Sequence, residues 1–234
     1  MDEQLSGRNG LKQLNNQVAI AIDGPAAAGK STVAKRIAKK LSYIYIDTGA
    51  MYRSLTYTAL RQGARLDSEE ALVNLLHRLS ITFEYDGDQQ HVFVNGEDIT
   101  KEIRTQEVSS NVSTVATHLK VREILVQRQK QLSKETSVVM DGRDIGTHVL
   151  PDAQFKFFLI ASVEERAKRR HEENIKSGFS SDLEKIKHEI ERRDKQDMER
   201  EVSPLIKAED AIEVDTTSMS IEEVTNFILN KVGQ

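Results

Sequence analysis

Apolar residues gather in five short runs, at 18–22, 43–46, 137–141, 155–160 and 211–215, each bounded by polar or turn-forming residues. Runs of this length, rich in Val and Ile, predict buried strands. Between them the pattern changes period. Val33, Ile37 and Leu41 recur at helical spacing, with Ala34 and Ala38 beside them and lysines outside, and predict an amphipathic helix after the first strand. Further helices are predicted from residue 48 to about 60, over 68–79, over 105–134 with an interruption near Thr117, and in the charged stretch between the last two strands. Short apolar strands alternating with helices predict an α/β fold, a doubly wound five-stranded parallel sheet.

The stretch 63–103 departs from that rhythm. Residues 81–85 and 91–94 alternate apolar and polar on either side of Asp86-Gly87-Asp88, which predicts an antiparallel hairpin ended by Asn95-Gly96. It reads as an insert standing off the main sheet. Residues 1–17 are polar with no sustained periodicity and read as a flexible leader.

Composition narrows the possibilities. At 234 residues with 38% hydrophobic and 30% charged content, one α/β domain with a large core is expected. No apolar run approaches the ~18 residues that would span a bilayer, and no signal-peptide core precedes the first strand, so a cytoplasmic protein is expected. The absence of cysteine excludes disulfides and thiolate–zinc sites. A net charge of −4 offers no general attraction to nucleic acid or an anionic membrane, and neither is expected as a partner. The arginines are nevertheless clustered, which suits a small anionic ligand better than a long polyanion.

The first predicted strand breaks at Asp23 and continues as Gly24-Pro25-Ala26-Ala27-Ala28-Gly29-Lys30-Ser31-Thr32, then the first helix. Strand, Gly-x4-Gly-Lys-Ser and helix occur in the order that a phosphate-binding loop requires. Its glycines let backbone N–H groups converge on an anion, and the helix adds the positive end of its dipole. Lys30 is placed to reach the β- and γ-phosphates of a nucleoside triphosphate and the Ser31 hydroxyl to ligate Mg²⁺. The fold is therefore expected to be that of a P-loop NTPase.

Other candidates lie at strand ends. Asp47-Thr48-Gly49-Ala50-Met51-Tyr52-Arg53 follows the second strand, with Asp47 or Thr48 as helix cap and Arg53 in the second turn. Asp141 ends the third run, before Gly142-Arg143-Asp144, where a carboxylate can orient Mg²⁺ or its waters. In the charged stretch Arg166, Arg169 and Arg170 fall on one helical side, and Arg193, Asp197 and Arg200 share another face. By composition alone these would be solvated, salt-bridged helices. A phosphate loop in the same chain changes that reading, because a transferring phosphoryl group needs cations brought to it.

Assembled, the motifs closely resemble the bacterial cytidylate kinases of the nucleoside monophosphate kinase family. The likeness is carried by residues 22–32, by Asp47 to Arg53, by Ile103 to Val108 and by Val121-Arg122-Glu123. It continues through Asp141 to Thr147, Glu164 to Ala167, Arg192 to Asp194 and Arg200, so it runs from Val18 to the C-terminus. Two departures are an alanine at the second glycine-rich position of the loop and Thr48 where a serine is often found.

The resemblance implies a core at 18–62 and 105–234, a monophosphate-binding insert at 63–104 with the hairpin, and a helical lid at about 166–200. It also implies a monomer that transfers a phosphoryl group from ATP, with Mg²⁺, to CMP or dCMP. By similarity Ser113, Arg122 and Asp144 would read the cytosine edge, and Arg193 and Asp197 would hold the ribose. Arg53, Arg143 and Arg200 would hold the acceptor phosphate beside Asp47 and Thr48, with Arg166 and Arg170 on the triphosphate.

Elementary chemistry agrees with those base-reading residues. Cytosine presents an amine to a carboxylate such as Asp144 and two acceptors to an arginine and a hydroxyl. Uracil replaces the amine with a carbonyl, which the carboxylate would repel. Rival readings are another P-loop small-molecule kinase, for uridylate, thymidylate or shikimate, and a GTP-binding switch protein. The last needs a guanine-reading Asn-Lys-x-Asp after a strand, and Asp194-Lys195-Gln196-Asp197 lies instead in a charged helical stretch.

Overall fold

A computed structural model describes residues 17–233, apart from 87, 88, 135, 177 and 179. Most of the leader, the centre of the hairpin turn and residue 179 thus lie outside the described residues. The chain enters through β1 (Ala19–Asp23), the glycine-bounded loop and α1 (Lys30–Leu41), then β2 (Ile44–Asp47) and α2 (Thr48–Arg61). Next come α3 (Glu69–Leu76), β3 (Ile81–Asp86), β4 (Gln89–Val94) and β5 (Glu97–Asp98). After a 3-10 turn (Glu102–Arg104) follow α4 (Gln106–Val115) and α5 (Leu119–Leu132). The chain returns as β6 (Val138–Gly142), a π-helical turn (Ile145–Val149) and β7 (Phe155–Ile160). It closes with α6 (Val163–Lys176), α7 (Leu183–Glu199), β8 (Ile212–Asp215) and α8 (Ile221–Val232).

Five strands pair in parallel in the order β2-β6-β1-β7-β8. Period-2 alternation decides which side chain faces which layer. Ile20, Ile22 and Val139 pack under α1 and α8 with Val33, Ile37 and Ile228, while Ala21, Val138 and Met140 face the other side with Ile145 and Val149. The register pairs Asp23 with Gly142 and Asp47 with Asp141, so three strand ends and their acids line up along the carboxyl edge of the sheet. That edge is where open α/β sheets bind ligands.

The insert is a three-stranded antiparallel sheet rather than a plain hairpin. Asn95 (φ 51°) and Gly96 (φ 84°) both take positive φ, the tight turn that Asn-Gly favours, and carry the chain into β5 instead of ending the hairpin. Val92, Val94, Ile99 and Ile103 share one apolar cluster with Leu55 of α2, Leu72 and Leu76 of α3, Val112 of α4 and Leu125 of α5. The hairpin also reaches the open edge of the main sheet, where the Tyr85 hydroxyl and Gln90 Nε2 both donate to the Tyr45 carbonyl.

α3 stops three residues short of the expected end, the N–H groups of Arg78 and Leu79 closing tighter turns on Leu75 and Leu76. The break near Thr117 is real: α4 ends at Val115 and the Thr117 hydroxyl donates to Thr114 O at 2.7 Å. Among the described residues no helix is long and apolar enough to cross a membrane.

Candidate active site

The loop after β1 is shaped by what surrounds it. Gly24 sits at φ 143°, and a Cβ there would lie 2.0 Å from the Leu159 carbonyl oxygen of β7, so only glycine fits. Ala27 adopts φ 58° although it is not glycine, a conformation that disfavours an L side chain by about 1–2 kcal/mol. Its methyl packs on the Ala167, Ile186 and Ile190 cluster between α6 and α7. Gly29 (φ 87°) turns the chain into α1, whose first residue, Lys30, is buried with Nζ donating to Pro25 O at 2.6 Å. Burial above all, then the nearby Arg143, holds the Lys30 ammonium well below its ordinary range. A phosphate seated against it would reverse that imbalance.

Behind the loop, Ser31 and Asp141 meet across 110 residues of sequence: the Ser31 hydroxyl donates to Asp141 Oδ2 at 2.7 Å. Tyr45 donates to the other oxygen at 2.7 Å, and Thr48 donates to the Asp141 carbonyl at 2.7 Å. Asp23 accepts from Ile145 N at 2.8 Å and Gly146 N at 2.7 Å, tying the phosphate loop to the turn that carries Asp144. Its burial outweighs those two hydrogen bonds and raises its pKa to about 6.

One cleft runs from this point to the α4–α5 break. At its far end Asp144 and Arg122 form a buried pair, Nη2 to Oδ2 at 2.5 Å. Arg122 also donates to Ala116 O at 3.2 Å and lies 5.5 Å from the Tyr52 ring centroid. The helix break is what exposes the Ala116 carbonyl to it. Ser113, in the last turn of α4, faces the same space. A carboxylate, a guanidinium and a hydroxyl thus converge beside an aromatic wall.

Between the two ends stand the remaining arginines. Arg53 is held by Asp47 at 2.7 Å, and the same carboxylate caps α2 through Ala50 N. Arg143 donates to Asp197 Oδ2 at 2.8 Å, and although burial opposes its charge, Asp197, with Asp194 and Asp141, more than restores it. Arg200 comes just after α7 rather than on its face, its Nη atoms 3.8 Å from Asp144 and Asp197. Arg193 is half-buried, its enclosed Nε has no partner among the described residues, and its pKa falls to about 9, first through burial and then through repulsion by Arg143. This guanidinium cluster repels itself until an anion enters it.

The three arginines expected on one side of α6 diverge. Arg170 reaches the cleft, whereas Arg169 turns to Thr216, Nη1 to Oγ1 at 3.1 Å. Arg166 is buried against the phosphate loop, donating to Ala26 O at 3.1 Å and paired with Asp194 at 2.6 Å. Of the loop itself, Ala26, Ala27, Lys30 and Ser31 line the cleft. Gly24, Pro25, Ala28, Gly29 and Thr32 are not among its lining residues.

Comparison with known proteins settles the family. The profile of the family described as "Cytidylate kinase" matches residues 20–234. The chain belongs to the cytidylate kinase family. Its activity is accordingly that family's ATP-dependent phosphoryl transfer to a nucleoside monophosphate. The cytidylate kinase of Geobacillus sp. (strain WCH70) is 63% identical over 221 residues, 94% of this chain and 99% of that protein. That of Bacillus cytotoxicus is 59% identical, over 94% and 98%. An uncharacterized protein from Eubacterium ventriosum ATCC 27560, in a crystal structure, shares the fold with a TM-score of 0.51 at 13% identity, over 93% of this chain and 98% of that one.

Three residues of the site escaped the sequence reading of roles. Asp23, at the end of an apolar strand, and Tyr45, inside one, carry a signal only in hindsight. Asp194 sits beside the arginines it serves, but a charged helix offers no way to tell which acid turns inward.

Proposed function

We propose that the cleft joins ATP, entering at the phosphate loop, to CMP or dCMP, entering at the α4–α5 break, and passes the γ-phosphoryl group between them. The observation that carries this reading is the buried Asp144–Arg122 pair with Ser113 beside it. Asp144 accepts from the cytosine amine, while Arg122 and Ser113 donate to the ring acceptors. Tyr52 and Val112 wall the base. Arg193 and Asp197 hold the ribose, and Arg53, Arg143 and Arg200 grip the acceptor phosphate, whose anionic oxygen is already a competent nucleophile. No separate base is therefore required.

The donor triphosphate takes the backbone N–H groups of residues 26–32 and the Lys30 ammonium. Arg170 approaches it from the lid, and Arg166 acts by bracing Ala26. Ser31 and Asp141 suit a Mg²⁺ ion. The serine hydroxyl donates a hydrogen bond to the carboxylate and keeps its lone pairs, and no cluster of three or more His, Asp or Glu that could cage a metal occurs among the described residues. Mg²⁺ commonly takes only one or two protein side chains beside nucleotide phosphates and waters. When bound it neutralises charge on the phosphate oxygens. Lys30 and the arginines do the same from the protein, holding two repelling anions in line. The proposed lid includes α7, which meets α4 where Gln106 donates to Glu189 at 2.6 Å, and its closure over the cleft would exclude water from the transfer.

ADP release measured with CMP, dCMP, UMP, TMP and shikimate as acceptors tests the proposal. CMP and dCMP are expected to lead. A rate with UMP well above that with CMP would reject the base-reading roles.

A further inference from the structure

We propose that Tyr45 is a positioning residue for phosphoryl transfer: its hydroxyl holds one oxygen of Asp141 so that the other stays with Ser31, and the β3–β4 hairpin holds Tyr45 in turn. The inference rests on the reading of Ser31 and Asp141 as the metal-facing pair. It goes further by assigning what aims the carboxylate.

Tyr45 is 4% exposed, with its ring in the apolar layer beneath α1 among Ile37, Val139 and Phe157. A phenylalanine would fill that space equally well, and a buried hydroxyl needs a partner. The partner is Asp141 Oδ1, at 2.7 Å, and no other hydrogen bond reaches that oxygen among the described residues. Ser31 occupies Oδ2 at the same distance. One donor on each oxygen fixes the plane of the carboxylate, as outer-shell partners commonly do for metal-facing groups. Without the tyrosine donor the carboxylate is free to turn about its Cβ–Cγ bond and leave Ser31.

Tyr45 is itself held at its backbone. β2 is an edge strand: β6 pairs with one side, and the Tyr45 carbonyl on the open side accepts from the Tyr85 hydroxyl and Gln90 Nε2. Gln90 is buried, and its Nε2 also donates to the Tyr85 hydroxyl at 2.9 Å. A continuous set of contacts therefore joins the insert to the carboxylate behind the phosphate loop.

The test uses the full chain as wild type, Tyr45→Phe, Asp141→Asn and the double variant, with Mn²⁺ binding to the protein–ADP complex followed by electron paramagnetic resonance. Tyr45→Phe is expected to weaken Mn²⁺ binding about tenfold, with the KM for CMP unchanged and no further loss in the Asp141→Asn background. Wild-type Mn²⁺ affinity in Tyr45→Phe, or the same loss with and without Asp141, overturns the proposal while leaving the metal-facing pair intact. Unchanged Mn²⁺ binding in Asp141→Asn brings down both. Tyr85→Phe, at a half-exposed position, keeps the idea testable should Tyr45→Phe fail to fold. A weakening of roughly twofold to threefold is expected there, and an unchanged affinity overturns the hairpin's part.

Discussion

Replacing Asp144 by asparagine is the sharpest probe of base recognition. The substitution keeps the shape of the side chain, removes its charge and exchanges one acceptor for a donor. In the folded protein this carboxylate takes the Arg122 guanidinium at 2.5 Å and has Arg200 3.8 Å from its other oxygen, both arginines buried. Two separable losses follow. Leaving a buried cation without its partner costs about 3–5 kcal/mol of stability, which at 2–4 °C per kcal/mol for a chain of this size lowers Tm by roughly 6–20 °C. Losing the group proposed to accept from the cytosine amine, and to repel the uracil carbonyl, removes about 1–3 kcal/mol of discrimination. The ratio of kcat/KM for CMP to that for UMP should therefore shrink by roughly 5- to 150-fold. Coupled ADP assays on one preparation measure that ratio directly, and the fraction of folded enzyme cancels from it, so instability cannot imitate the effect. A CMP-to-UMP ratio within twofold of wild type, or equal losses of ATP and CMP affinity in a binding titration, would refute the role given to Asp144.

Two other expectations follow from the loop and its surroundings. Lys30→Ala removes the cation proposed to neutralise the transferring group and should lower kcat at least about a hundredfold, with CMP affinity by calorimetry little changed; near-normal turnover would sink the loop's catalytic role. Asp23 titrates upward on folding, to about 6, so its contribution to stability is full below the unfolded value and is lost as pH rises through 6. Urea unfolding of ligand-free wild type against Asp23→Asn should show wild type gaining about 1 kcal/mol relative to the variant between pH 7 and pH 5, and a shift of opposite sign would contradict the buried, proton-binding carboxylate.

Local patterns in the sequence carried much of this protein. The run 155–160 became β7 without adjustment, and the other four main-sheet strands agree with their runs within a residue or two. The phosphate loop, the interruption near Thr117 and the arginine clusters were all legible, because each is written in consecutive residues through strand or helix period, glycine placement and charge. β5 was missed for a local reason: two residues are too few to show alternation, although Asn95-Gly96 was its turn. The cleft is otherwise a matter of distance along the chain. Tyr45 and Asp141 are 96 residues apart, Asp23 and Ile145 122, and Arg166 and Ala26 140. Charge and periodicity place Arg166, Arg169 and Arg170 on a common helical side, but they do not say that one braces the loop, one leaves for Thr216 and one reaches the cleft. By itself the sequence determined the strands, the anion-binding loop and the supply of cations, since these follow from short-range sterics and hydrogen bonding. Only the tertiary structure decided which carboxylate each cation keeps and which cations face the cleft, since burial and distant partners set those pairings.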